Sequence, residues 1–117
     1  MEKKLYIAEF EEAEGNAEKE MELWRNHSTM YRAYLDSKKA GNESLNFYEI
    51  IWEKDIESII DLCKKNNIAE ISVSGVSSNM LEILAGFEKY GCKLNGLTSV
   101  KDRFNGQAVP AFAVRMR

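Results

Sequence analysis

Residues 55–92 read DIESIIDLCKKNNIAEISVSGVSSNMLEILAGFEKYGC, and this stretch decides the fold. Ile56, Ile59, Ile60 and Cys63 recur at helical spacing, and Ile68 to Val76 follows as a short strand centred on Ile71 and Val73. A second helix comes next, with Met80, Leu81, Leu84 and Phe87 on one side. Gly91 closes it, because glycine accepts the left-handed backbone that ends a helix. Two amphipathic helices flanking one strand need a sheet to lie on, so the rest of the chain must supply strands.

Working outward, Leu5 to Phe10 carries apolar residues on both alternating faces and reads as a strand covered on both sides. Asn16 is a good helix cap, with Glu18 and Glu20 in the first turn where the helix dipole favours negative charge. One long helix is expected from there to about Lys39, ended by Gly41-Asn42. Its inward stripe is Ala17, Met21, Trp24, Tyr31 and Leu35, widened by His27, Met30 and Tyr34. Leu45 to Trp52 fits neither period cleanly and is read as a short extended piece. Lys93 to Lys101 and Ala108 to Met116 read as two strands joined through the turn signal Asn105-Gly106, hence a C-terminal hairpin. Pro110 belongs at an edge or near the start of the last strand, while Phe112, Val114 and Met116 alternate onto one face. The expectation is a single α/β (α+β) domain over residues 1–117: a mixed sheet of four to five strands packed by three helices.

The chain has 117 residues, 44% hydrophobic and 30% charged, enough for one cored domain. Its net charge of -3 supplies no global pull toward nucleic acid or anionic lipid. The charge is uneven, with Glu9, Glu11, Glu12, Glu14, Glu18, Glu20 and Glu22 crowding the first part and Lys93, Lys101, Arg103, Arg115 and Arg117 marking the end. Cys63 and Cys92 lack CxxC spacing and read as reduced, buried small hydrophobes. No stretch has the length of a membrane span and none reads as a signal peptide, so a cytoplasmic location is the expectation.

Three regions offer chemistry. Ser74, Gly75, Ser77, Ser78 and Asn79 lie in a strand-to-helix loop, where backbone N–H groups can hold an anion; the bland alternative is that Ser77 or Ser78 caps the following helix. Trp24, His27, Tyr31 and Tyr34 form an aromatic-rich helical face, a partner surface if part of it stays exposed and core if not. Lys101, Arg103, Arg115 and Arg117 form a basic patch on the terminal hairpin that would grip phosphates, although the acidic balance argues against nucleic acid. His27 is the sole histidine, and no metal-ligand spacing appears; neither a catalytic residue nor a metal site is assigned.

Ile68-Ala69-Glu70-Ile71-Ser72-Val73-Ser74, Leu84-Ala85-Gly86-Phe87-Glu88-Lys89-Tyr90-Gly91 and Val109-Pro110-Ala111-Phe112-Ala113-Val114-Arg115-Met116 resemble small uncharacterised α/β proteins of gut Firmicutes. That resemblance implies a fold and no activity. A narrower stretch, Ile71 to Gly96, resembles the closing strand and helix of GNAT N-acetyltransferases, in Asn79, in Phe87-Glu88-Lys89-Tyr90-Gly91-Cys92 and in Gly96. It implies acetyl-CoA or CoA as a ligand, with Asn79 and Tyr90 near the pantetheine arm. The family's Arg/Gln-x-x-Gly-x-Gly/Ala phosphate loop is absent from the sequence, so the resemblance implies a binding remnant rather than a working transferase.

Function is therefore not assignable from sequence. The leading expectation is a non-catalytic module that needs no cofactor and binds a protein partner or itself. The alternatives are a GNAT-like acyl-CoA or small-anion binder, a degenerate acetyltransferase included, and a nucleic-acid binder acting through the basic C-terminal hairpin.

Overall fold

The computed structural model describes residues 5–48, 53–75, 80–102 and 104–116. In chain order these give α1 (Ala8–Ala13), α2 (Ala17–Asn26), α3 (Ser28–Ala40), β1 (Asn46–Tyr48), α4 (Glu53–Lys65), β2 (Glu70–Ser74), α5 (Met80–Lys89), β3 (Lys93–Lys101) and β4 (Ala108–Arg115). The strands form one mixed sheet in the order β1-β2-β4-β3. β1 and β2 are parallel, and β4 runs antiparallel to both of its neighbours. The class and the hairpin are as expected, with five helices among the described residues where three were anticipated.

Two corrections concern the first third of the chain. Leu5 to Phe10 is not a strand: Ile7 caps α1, and Phe10 and Ala13 point inward at helical spacing. The long helix is two helices, broken at His27, whose φ of -138° and ψ of 38° are not helical. The break costs little because hydrogen bonding resumes within one residue: His27 N–H donates to Leu23 C=O and Tyr31 N–H to His27 C=O. Of the Leu45 to Trp52 segment, Asn46 to Tyr48 is strand, and residues 49–52 lie outside the described residues.

α3, α4 and α5 stop in the same way. Gly41, Asn67 and Gly91 take positive φ, and the next residue's N–H reaches back to Ser37, Cys63 and Phe87. This satisfies carbonyls that a helix end otherwise leaves without partners.

One continuous core joins the helices to one face of the sheet through Ile7, Phe10, Tyr34, Leu45, Phe47, Ile56, Ile60, Ile71, Val73, Phe87 and Val114. Phe47 pairs with Val73, Val73 with Phe112 and Ile71 with Val114, so the register itself aligns these apolar side chains. The other face carries Asn46, Ser72, Ser74, Ala111, Ala113 and Val100, all buried.

The sheet curls strongly over that second face. β1 and β3 are opposite edges, yet Asn42, just before β1, hydrogen-bonds the main chain of Lys101 at the end of β3. The Tyr48 and Phe104 rings also meet edge to face at 5.8 Å. A one-residue bulge between Leu94 and Leu97, with Gly96 at φ +77°, supplies part of the bend. Small residues at Ala111 and Ala113 let the strands close inward.

Pro110 sits inside this sheet without breaking it. Asp102 N–H donates to Gln107 C=O, which makes that pair a bonded one. Alternation then makes Ser99–Pro110 a non-bonded pair, where no N–H toward β3 is needed. On its other side β2 has already ended, at Ser74.

Candidate functional site

Parallel strands tend to hold ligands beyond their carboxyl ends, where side chains from several elements converge. At that end of β1 lies a cleft of about 370 Å³ between α2, α3 and the strand, lined by Trp24, Ser28, Thr29, Arg32, Asp36, Phe47 and Tyr48, with Ala33 as part of its floor. α2 and α3 diverge at His27, and this opens the cleft: Trp24 comes from the last turns of α2, while Thr29, Arg32 and Asp36 recur along α3 at helical spacing. Thr29 Oγ1 donates to Asp55 Oδ2 at 2.9 Å, which ties the mouth of the cleft to α4. A larger hollow of about 570 Å³ lies at the opposite, amino ends of β1 and β2, beside Leu5, Tyr6 and Glu43.

The aromatic face expected to form a surface divides in two. Tyr31 and Tyr34 are buried, packed edge to face on Phe10 at 5.2 Å each, so neither presents a ring to a partner. Trp24 rests on Tyr31 at 5.0 Å and remains 43% exposed. Met21, one turn earlier on the same stripe, is 65% exposed, and no residue of α2 is fully buried.

His27 is half-buried, and its Nδ1 stands 3.4 Å from Ser58 Oγ on α4. Sequence spacing could not reveal this pair, because the partners are 31 residues apart. A working nucleophile–base contact is nearer 2.6–3.2 Å, and here the pair joins α4 to the α2–α3 break.

The loop expected to hold an anion is described only at Ser74 and Gly75; Ser77, Ser78 and Asn79 lie outside the described residues. Ser74 is buried, and its hydroxyl accepts from Asn46 Nδ2 at 3.0 Å. Asn46 Oδ1 in turn accepts from Ser72 Oγ at 2.7 Å. Ser74 therefore belongs to a closed polar network inside the curl. Tyr90 is half-buried against the core.

The basic patch does not assemble from its described members. Lys101 pairs with Ala108 at the turn end of the hairpin and Arg115 with Lys93 at the far end, and the alternation of β4 puts them on opposite faces. Lys101 Nζ is turned toward Gly41 C=O at 3.5 Å. Arg103 and Arg117 lie outside the described residues.

The clearly displaced ionisations belong to contacts that hold elements together. Burial pushes the Tyr34 hydroxyl up to about 12, aided by its hydrogen bond to Glu11. Glu11 is held below the usual carboxylate range by hydrogen bonds from Lys38 and Tyr34, and Glu9 likewise, first by Lys65. Burial raises the Cys63 thiol to about 12, with Cys92 adding to it, so Cys63 is a core residue and not a nucleophile. Among the described residues no group of three or more His, Cys, Asp or Glu side chains converges to hold a metal, and no helix is long and apolar enough to cross a membrane.

Comparison with curated proteins gave no match, and comparison with solved structures gave none. A family model does match residues 29–114, the span from α3 to β4 that carries the sheet, the curl and most of the cleft wall. By that match the chain belongs to DUF7698, a family defined by a domain of unknown function.

Proposed function

We propose that the protein is a non-catalytic interaction module whose contact surface is the Trp24 cleft, and that it engages a protein partner. The observation that carries this reading is the half-exposed Trp24 indole, seated on Tyr31 beside Arg32 and Tyr48. Tryptophan, tyrosine and arginine are the side chains on which interface energy concentrates, and an indole already fixed on one side loses little freedom when a partner covers the other. Among the described residues that line it, the cleft holds both signs of charge, Arg32 and Asp36, and no histidine or cysteine.

The CoA alternative has less support. It rests on the Ser74 to Asn79 loop, and Ser74, the first residue of that loop, is buried. The nucleic-acid alternative is weakened by the opposed placement of Lys101 and Arg115.

The deciding experiment is affinity capture from native extract with wild-type protein and Trp24→Ala in parallel, alongside a melting curve with saturating CoA. A partner retained by the wild type and lost with Trp24→Ala, with no CoA-dependent rise in the midpoint, supports the interaction reading. A CoA-dependent rise with no Trp24-dependent partner overturns it.

A further inference from the structure

α2 is the one helix of ten or more residues with fully described burial that has no fully buried residue. Leu23 and His27 face the protein, and Tyr31 packs beneath Trp24. The stripe Ala17, Met21 and Trp24, at i, i+4 and i+7, is turned to solvent. Its surroundings are acidic. Glu9 and Glu11 are paired with Lys65 and Lys38, but Glu12, Glu14, Glu18 and Glu22 are exposed and Glu20 partly so, with Lys19 and Arg25 the basic residues of α2.

Acids outnumber bases around this exposed apolar stripe even with Arg25 and Arg32 beside it, and a net-negative rim favours a cationic occupant by complementarity. A second copy would bring two net-negative surfaces together, and an anionic bilayer would be repelled. We propose that α2 docks a basic amphipathic segment of a protein partner, with apolar anchors on Met21 and Trp24 and lysines or arginines against Glu14, Glu18 and Glu22. This rests on the interaction reading above and adds the partner's chemistry. The geometry is that of a helix laid against a helix face, read by anchors one turn apart.

The test uses full-length protein carrying 5-fluorotryptophan, with the Trp24 resonance assigned by Trp24→Phe. Three synthetic amphipathic peptides of equal length serve as probes, built from leucine with lysine, with glutamine or with glutamate. The expected result is a saturable shift of the Trp24 signal by the lysine peptide, at least about fivefold tighter than by the glutamine peptide and weakened several-fold by salt. Glu18→Lys/Glu22→Lys should transfer the preference to the glutamate peptide. Glu57→Lys/Asp61→Lys, an equal charge change on α4, should leave the preference with lysine. If the three peptides shift Trp24 equally, or if the α4 reversal acts as strongly as the α2 reversal, the basic-partner inference fails while the interaction reading stands. If no peptide moves Trp24, both fail. A Trp24 signal that moves with protein concentration alone, or with phosphatidylglycerol vesicles alone, also overturns the proposal, by naming a second copy or a lipid surface as the occupant.

Discussion

The side chain of Asn42 accepts a hydrogen bond from Lys101 N–H at 2.8 Å and donates one to Lys101 C=O at 3.0 Å, so one amide takes the place of a neighbouring strand at the edge of β3. Ser37 does the same at the other edge: its hydroxyl accepts from Asn46 N–H at 2.9 Å and donates to Asn46 C=O at 3.2 Å. Ser37 and Asn42 lie at the end of α3 and just beyond it. A single segment thus blunts both open edges of a four-stranded sheet, the places where strands otherwise recruit other chains.

Replacing Asn42 by alanine should therefore lower stability by about 1–2 kcal/mol and hasten amide exchange at Lys101. The same variant should associate more readily at high concentration, because the β3 edge is then open at Lys101. Denaturant titration, exchange and sedimentation read these three effects. Unchanged exchange at Lys101 would mean that the clasp contributes nothing in solution.

Gly86 sits where α5 crosses α4. A Cβ at this position would lie 2.5 Å from Ile56 Cδ1, too close unless that methyl moves. Alanine gains about 1 kcal/mol of helix propensity, while overpacking against a movable side-chain end costs about 1 kcal/mol, so Gly86→Ala should be close to neutral in stability. Ile56→Val removes the clashing methyl and alone costs about 0.5–1.5 kcal/mol. The double variant should be more stable than the sum of the singles by about 1 kcal/mol, a coupling that a double-mutant cycle measures directly. Strict additivity would place the crossing elsewhere.

Glu11, Tyr34 and Lys38 predict two pH limbs. The folded state holds Glu11 ionised to lower pH than the unfolded chain does, so its contribution is full above the ordinary carboxylate range and disappears as pH falls through the lowered value. Tyr34 is raised from 10 to about 12, so its contribution is full below pH 10 and disappears as pH rises toward 12. Glu11→Gln should flatten the acid limb and Tyr34→Phe the alkaline one. Chemical denaturation across pH checks both, and an acid limb unchanged in Glu11→Gln would assign it to Glu9 and Lys65 instead.

The sequence was informative wherever one period ran without competition. The Ile56-Ile59-Ile60-Cys63 spacing and the Phe112-Val114 alternation lead directly to α4 and β4. Leu5 to Phe10 misled because short apolar runs satisfy both periods; the helical signal was the wider spacing Ile7, Phe10 and Ala13, beyond that window. The break at His27 carries neither glycine nor proline. Its trace is the run Asn26-His27-Ser28-Thr29, four residues of modest helix propensity, which an apolar stripe continuing on both sides outweighs by eye. The cleft follows from that break and was illegible for the same reason. The curl was also hidden, since it depends on a side chain meeting a strand 59 residues away.

Asn46 offers the sharpest test of the second face. Its backbone is held by Ser37, its Oδ1 takes the Ser72 hydroxyl and its Nδ2 donates to Ser74, all within a buried layer. Asn46→Ala would strand the Ser72 and Ser74 hydroxyls away from water. A loss of about 2–4 kcal/mol is expected, since each orphaned buried group costs about 1–3 kcal/mol and some relaxation is available. Ser74→Ala alone leaves only one amide hydrogen without its acceptor and should cost about half as much. Adding Ser72→Ala and Ser74→Ala to Asn46→Ala should then cost little more, because the groups left unpaired have been removed. If the triple variant instead loses the sum of the singles, the three side chains act independently, and the curl is held by Asn42 and the packing of Val100, Ala111 and Ala113.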